Sequence, residues 1–349
     1  MEYYIVLLVF YAITLIFLRL VFAEIEGRQA RKMSNVRYFL RYQDKFVYRR
    51  QFSIIFVAFL CYMIVSVEKA FSTMWFLQLM GFIAVGVISD ALSQVVYHYY
   101  INIRFKKDIT ESKELKNEIA CAVSNQDEEL MQQTIPSYEP HQIIEGYLNE
   151  DNHLAVISVD GGNFTSQFEK LPPITYSVEL NPTKARETLE EKGVKVTTFT
   201  SQGILPFKDE KLDVVVNELS NYDKFEMYRI LKPGGYLVVD QLGSDNYKEI
   251  INMFIPFKLK GQWNKETCQS TLTEIGFDIV DSYEDIGYIR FHSLSAVLAF
   301  MKSISPERVE KYEQFVNFYA DVLKKIKMNQ FYEITTHKFM VIARKSDMK

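Results

Sequence analysis

The sequence predicts an α/β protein with a doubly wound, mostly parallel seven-stranded sheet, preceded by an all-α transmembrane region. Two observations predict this class. Short apolar runs of strand length alternate with helical segments in the second half of the chain, and continuous apolar runs are typical of strands that are buried on both faces. Three longer apolar runs occupy the first hundred residues, and runs of that length are typical of membrane-spanning helices.

The clearest part of the predicted sheet is a strand–helix–strand segment. Residues 212–216 form an apolar run of strand length, and a short helix is expected over residues 222–230. Pro233 cannot continue that helix, and the two glycines after it suit a tight turn before a second buried strand at residues 236–239. Two strands joined by a helix in this way predict a parallel pair.

The other elements are assigned by the same criteria. Pro182 is expected to open a helix, and Gly193 is expected to end it. Two late strands are expected to form an antiparallel edge, and two helices between them are expected to cover the site as a lid. The predicted strands are residues 154–159, 174–180, 194–199, 277–283 and 337–344, and the two helices are residues 293–304 and 306–326.

Several spaced motifs recur together and in order around these strands. They are Leu205-Pro-Phe with Asp209, then Asp213-Val-Val, then Tyr228-Arg-Ile-Leu-Lys-Pro-Gly-Gly. This order resembles the class I S-adenosylmethionine-dependent methyltransferases, in particular the small-molecule, type 11-like group. The resemblance covers roughly residues 137–345, and the first 130 residues have no counterpart in it. It implies a Rossmann-like methyltransferase domain with S-adenosylmethionine as cofactor.

A ligand in an open parallel sheet binds beyond the carboxyl ends of the strands, where the strand order reverses. A carboxylate at the end of the second strand can accept hydrogen bonds from both ribose hydroxyls, and the resemblance gives Glu179 that role. The predicted cofactor-binding residues are Asp160, Gly161, Gly162, Glu179, Ser201, Gln202 and Asn217.

The turn after the first strand departs from the family pattern of an acidic residue followed by Gly-x-Gly-x-Gly. The sequence here is Ser158-Val-Asp-Gly-Gly-Asn-Phe. In strict register only Gly162 survives of three glycines, and Phe164 would crowd the cofactor. In a shifted register Asp160 restores the acidic residue. Both alignments stay open, and so do two functions: a methyltransferase, and a catalytically inactive methyltransferase-like scaffold or sensor.

The sequence names no catalytic residue, because methyl transfer depends mainly on alignment of donor and acceptor. Asn217, Glu218, Gln241 and residues 285–287 are candidate contacts to the acceptor. The expected acceptor is a small or lipid-like molecule reached from the cytosolic face.

The three long apolar runs are residues 4–22, 52–67 and 71–97. Basic residues follow the first and the third run, and basic segments stay in the cytoplasm. The sequence therefore predicts a multi-pass protein of the cell membrane with a cytoplasmic C-terminal domain. The expected division is a lipid-contacting membrane region at residues 1–104, a helical connector at 105–135 and the methyltransferase-like domain at 136–349.

Composition excludes several other classes of function. The three cysteines lie far apart and no Cys-x-x-Cys or His-x-x-x-His pair occurs, so neither a disulfide framework nor a metal site is expected. The net charge is −4, and it is unevenly spread, because residues 1–110 hold 13 Lys/Arg but only 7 Asp/Glu. The remainder is therefore acidic, which disfavours a nucleic-acid partner.

Overall fold

The computed structural model of the chain describes residues 2–42, 73–124, 131–199, 204–221, 223–251 and 263–347. The helices, in chain order, are α1 (Glu2–Lys32), α2 (Val36–Leu40), α3 (Thr73–Arg104), α4 (Lys106–Ser124), α5 (Pro140–Glu145), α6 (Asn163–Ser166), α7 (Pro182–Leu189), α8 (Lys224–Ile230), α9 (Lys265–Glu274), α10 (Leu294–Ile304), α11 (Pro306–Glu310) and α12 (Val316–Asn329). The strands are β1 (Met131–Gln133), β2 (His153–Ser158), β3 (Ile174–Glu179), β4 (Lys195–Thr197), β5 (Leu212–Glu218), β6 (Leu231–Leu242), β7 (Phe277–Phe291) and β8 (Tyr332–Lys345).

The chain divides into two compact units, and each is formed by two separate stretches of sequence. The helical unit contains residues 1–130 and 292–332, and the sheet unit contains residues 131–291 and 333–349. The sequence assigns residues 292–332 to the methyltransferase-like domain, but in the structure they group with the N-terminal helices. That the helices in this stretch cover the site as a lid stays a prediction.

The helical unit is held together by polar contacts between distant parts of the chain as well as by apolar packing. Helix α1 packs along α3, while α2 and α12 both pack on α4. Arg31 donates to both carboxylate oxygens of Asp108, with Nε–Oδ1 at 2.8 Å and Nη2–Oδ2 at 2.6 Å. The Tyr97 hydroxyl donates to Glu26 Oε2 at 2.6 Å. These bonds tie α1 to α4 and to α3.

The membrane prediction is corrected by this unit. Within the described ranges, no helix combines the length and apolarity that a bilayer crossing requires. The first and the third apolar run each contain a charged residue, Arg19 in α1 and Asp90 in α3. Arg19 is buried, and its Nη2 lies 2.8 Å from Oδ1 of Asp90. The predicted localisation as a multi-pass membrane protein is therefore wrong. The second predicted span, residues 52–67, lies outside the described residues.

The sheet unit has the predicted parallel strands at the centre of a sheet that is mixed overall. Its strand order is β1-β7-β8-β6-β5-β2-β3-β4. The pairs β2–β3, β2–β5, β3–β4 and β5–β6 are parallel, whereas β6–β8 and β1–β7 are antiparallel. The order reverses between β2 and β5, which is the switch point at which such sheets bind ligands. Among the described residues the sheet has eight strands rather than seven, because β1 pairs with β7 at the outer edge.

The sequence pattern explains why these strands are central. Alternate residues of β2 enter two different apolar clusters, with Ala155 and Ile157 in one and Leu154 and Val156 in the other. All four are fully buried, so both faces of the strand are covered. Gly235 is also required, since a Cβ at that position would lie 2.9 Å from the Lys232 carbonyl oxygen.

Candidate functional site

Strand register brings several polar residues to one edge of the sheet unit. Ser158 of β2 pairs with Glu179 of β3, and Glu218 of β5 pairs with Asp240 of β6. Asn217 of β5 lies opposite Ile157, one residue before the end of β2. All of these polar side chains are buried. The carboxyl edge around the switch point is therefore a buried polar site, and we call it the carboxyl-edge site.

The turn after β2 has the backbone conformation that only glycine adopts readily. Gly161 has φ +74° and Gly162 has φ +87°. A Cβ on Gly161 would lie 2.7 Å from Cδ of Lys184, and a Cβ on Gly162 would lie 3.0 Å from Cδ1 of Leu189. The two predicted glycines therefore form a tight turn that packs against α7.

Glu179 holds this glycine turn from the neighbouring strand. Its Oε2 accepts a hydrogen bond from the Gly161 amide at 3.2 Å, and its Oε1 accepts one from Ser177 Oγ at 3.2 Å. The side chain is fully buried. Burial raises the pKa of the Glu179 carboxyl, and the hydrogen bond from Gly161 opposes that rise. The carboxylate predicted to bind a ribose therefore already has a structural partner.

Asp160 and Asn217 also make local hydrogen bonds. Asp160 Oδ2 accepts from the Phe164 amide at 2.7 Å, at the start of α6. Asn217 Nδ2 donates to the Ser220 carbonyl oxygen at 3.1 Å, and Ser220 Oγ donates to Asn217 Oδ1. These bonds fix the loops after β2 and β5. The other two predicted residues, Ser201 and Gln202, lie outside the described residues.

Phe164 does not project from the turn as an isolated ring. It is buried in the apolar cluster that contains Leu154 and Val156. Its ring centroid lies 4.3 Å from that of His141 and 5.6 Å from that of Phe168. The ring is thus a part of the core.

Glu218 is the most strongly perturbed carboxyl of the carboxyl-edge site. The residue is 6% exposed, and its Oε2 accepts a hydrogen bond from Ser158 Oγ at 2.8 Å. Burial raises the pKa of Glu218 to about 7, the charges of Asp160 and Asp240 add to that rise, and Ser158 and Lys338 oppose it. A carboxyl with such a pKa can accept or release a proton near neutral pH.

Asp240 completes this group of carboxylates. It is fully buried, and its Oδ2 lies 3.1 Å from Nζ of Lys338 on the antiparallel strand β8. Burial raises the pKa of Asp240, and Lys338 opposes the rise. From the sequence alone Glu218 is only a candidate contact to the acceptor, and Asp240 and Lys338 are not identified. The available signal was an aspartate directly after the apolar run of residues 236–239.

The residues of the site fit an adenosyl cofactor in chemistry and position. Paired glycines with left-handed backbone follow the first parallel strand, and a carboxylate ends the adjacent strand. Such a turn lets a ligand approach the backbone closely, and such a carboxylate can accept from ribose hydroxyls. The burial of Glu179 sets a condition: the carboxylate has to be uncovered before it can contact a ribose.

Comparisons with known proteins give a set of structural neighbours only. No protein-family model and no curated protein matches the chain. A proposed sarcosine dimethylglycine methyltransferase from Galdieria sulphuraria is 14% identical, covers 60% of this chain and 83% of its own, and has a TM-score of 0.39. The [4+2]-cyclase SpnF is 15% identical over 69% of this chain and 96% of its own, with a TM-score of 0.40.

A geranyl diphosphate methyltransferase, solved with geranyl diphosphate and sinefungin, is a further neighbour. It is 11% identical, covers 59% of this chain and 77% of its own, and has a TM-score of 0.37. Methyltransferases therefore recur among the neighbours. At these identities and TM-scores the likenesses do not identify an activity for this chain.

Proposed function

We propose that the sheet unit is an S-adenosylmethionine-dependent methyltransferase that acts on a small-molecule acceptor. The observation that carries the proposal is the carboxyl-edge site itself. Gly161 and Gly162 form a left-handed turn at the end of β2, and Glu179 at the end of β3 is hydrogen-bonded to that turn. The turn and the carboxylate thus lie side by side at the switch point, where an open parallel sheet binds its ligand.

In this function Gly161, Gly162 and Glu179 would hold the cofactor, which supplies an electrophilic methyl group when it is bound. The acceptor would need a nucleophilic atom with a free electron pair, and where that atom carries a proton, Glu218 is suited to take it. Its pKa of about 7 leaves a large share of the carboxyl deprotonated at neutral pH. Ser158 would keep that carboxylate in place through the hydrogen bond to Oε2.

The test is calorimetric titration of the full chain with S-adenosylmethionine and with its demethylated product, S-adenosylhomocysteine. We expect a dissociation constant below about 1 mM. Glu179→Gln should weaken binding about tenfold, because it removes the charge from the ribose-binding carboxylate and keeps an acceptor for Gly161. Glu187→Gln is the matched control, since Glu187 is exposed on the adjacent helix α7. Equal affinities for the two variants would contradict the assigned role of Glu179.

A second function, a catalytically inactive methyltransferase-like scaffold, is favoured by one specific observation. Glu179 is fully buried and both of its oxygens accept hydrogen bonds from within the chain. If that arrangement is permanent, the site has no ribose acceptor. Binding weaker than about 1 mM for both adenosyl ligands, in a chain that unfolds cooperatively, would support the scaffold and overturn the enzyme.

A further inference from the structure

A separate cavity opens beside the carboxyl-edge site, at the ends of β5 and β6. Its volume is about 300 Å³, at the small end of the range for ligand pockets. None of the predicted cofactor residues that the structure describes lines it. The lining residues are Ser220, Asn221, Lys224, Gln241, Trp263 and Thr271, and we call it the Trp263 cavity.

The wall of the Trp263 cavity is connected to the carboxyl-edge site by hydrogen bonds. The Ser220 carbonyl oxygen accepts from Asn217 Nδ2 and from Gln241 Nε2, both at 3.1 Å. Ser220 Oγ donates in turn to Asn217 Oδ1. Asn217 directly precedes Glu218 in β5. Ser220, which lines the cavity, follows by two residues the carboxyl that is suited to accept a proton.

The charge of the lining residues indicates which kind of ligand this cavity would bind. Lys224 is the one charged side chain among the described residues that line it. Its nearest ion-pair partner is Glu274, whose Oε2 lies 3.9 Å from Lys224 Nζ and whose side chain is 68% exposed. So distant and exposed a pair is weak, which leaves Lys224 free to meet an anion.

Trp263 provides a flat apolar surface in a fixed position. Its ring packs edge-on against Phe339, with centroids 5.9 Å apart and planes at 66°. Its carbonyl oxygen also accepts a hydrogen bond from the Ser244 amide at 2.7 Å. An indole held in this way favours the planar face or edge of an aromatic ligand.

We propose that the Trp263 cavity binds the methyl acceptor, and that this acceptor is a single-ring aromatic anion whose charge meets Lys224. The identification of the ligand as the acceptor rests on the proposed methyltransferase function. The small volume limits the ligand to about one ring with its substituents. The anionic oxygen provides both the charge for Lys224 and a nucleophilic atom for methyl transfer.

The chain itself supplies the reporter for a test. It contains two tryptophans, so Trp75→Phe leaves Trp263 as the only one. In this full-length variant, benzoate should change the Trp263 fluorescence saturably, with a dissociation constant in the millimolar range or below. Benzamide has the same shape without the charge, and it should bind at least about tenfold more weakly.

Two further substitutions separate a built site from a general effect of charge. Lys224→Met should weaken benzoate binding about tenfold or more, and Thr271→Leu should weaken it by filling the cavity. Lys248→Met is the matched control, because Lys248 lies in the same unit and pairs only loosely with Asp245, at 3.4 Å. Equal binding of benzoate and benzamide, or unchanged binding by Lys224→Met, would overturn the proposal.

Titration of the same variants with S-adenosylhomocysteine distinguishes the two proposals. If S-adenosylhomocysteine binds and benzoate does not, the acceptor assignment fails and the methyltransferase proposal stands. If benzoate binds through Lys224 and S-adenosylhomocysteine does not, the methyltransferase proposal fails, and with it the identification of the ligand as a methyl acceptor. Binding of both, with affinity for one raised by the other, would support the two proposals together.

Discussion

The ends of β3 and β5 carry the same residue type in the same kind of place and use it differently. Glu179 and Glu218 are both buried, both end an apolar parallel strand, and both accept a hydrogen bond from a serine. Glu179 also accepts a hydrogen bond from the Gly161 amide, whereas the charge of Asp240 raises the pKa of Glu218. Both pKa values are raised by burial, and that of Glu218 reaches about 7. One carboxylate therefore holds a turn, and the other is available for proton transfer.

The largest expected effect is on the pH dependence of stability in Glu218→Gln. Glu218 keeps its proton up to a pKa of about 7 in the fold, against an ordinary value of 4.5. Its contribution to stability is therefore full below pH 4.5 and is lost as the pH rises through 7. The amide should remove that loss and raise the free energy of unfolding at pH 8 by up to about 3 kcal/mol.

Urea unfolding of Glu218→Gln and of the unchanged chain at pH 4.5, 6 and 8 measures this difference. Glu187→Gln, at an exposed position, is the control and should follow the unchanged chain at every pH. An unchanged pH dependence in Glu218→Gln would mean that Glu218 and Glu179 do not differ in the way described.

A change at the other carboxylate should act through the turn. Glu179→Ala removes the acceptor for the Gly161 amide, and we expect a loss of about 1–3 kcal/mol in the free energy of unfolding. Glu179→Gln keeps an acceptor oxygen and should lose much less. Equal unfolding free energies for the two variants, measured in urea at pH 7, would show that Glu179 does not support the turn.

The glycine turn can be tested against a glycine without close neighbours. Gly162→Ala places an alanine in a left-handed backbone conformation and brings its methyl group to 3.0 Å from Leu189 Cδ1. The free energy of unfolding should fall by about 2 kcal/mol. Gly193 has φ +68° and open space around it, so that Gly193→Ala should cost about 1 kcal/mol. Thermal unfolding of both variants measures the difference. Equal losses of stability would show that the contact between Gly162 and α7 does not contribute.

The smallest effects are expected at the two serines. Ser158→Ala removes a hydrogen bond that favours the charged form of Glu218, so the pKa of Glu218 should rise further and the unfolding free energy at pH 7 should fall by about 0.5–1.5 kcal/mol. Ser177→Ala should have a smaller effect, because Gly161 still donates to Glu179. The same pH series measures both, and a larger effect at Ser177 would reverse the comparison.

The strands of the sheet unit were predictable because their signal is local. Residues 212–216 and 236–239 are continuous apolar runs, and the strands β5 and β6 contain them. The start of α7 at Pro182 and the left-handed Gly193 follow from single residues with strong backbone preferences.

The chemistry of the site was only partly predictable, since it depends on which strands are neighbours. Ser158 and Glu218 are 60 residues apart and meet because β2 lies beside β5. The burial of Glu179, the pairing of Asp240 with Lys338 and the wall formed by Trp263 also require the fold. The N-terminal helices also depend on long-range pairing, since the partners of Arg19 and Arg31 lie more than 70 residues away.

Residues 292–332 belong to the helical unit although they lie between two parts of the sheet unit in the sequence. This arrangement affects when the two units can fold during synthesis. Strand β8 lies between β6 and β7, although it follows both of them in the chain and leaves the ribosome after them. The helices of residues 292–332 leave the ribosome just before it, although their unit begins at residue 1. Neither unit can finish folding before residues 292–345 are synthesised, because that stretch contributes to both units. A premature stop within residues 292–332 leaves two incomplete cores instead of one.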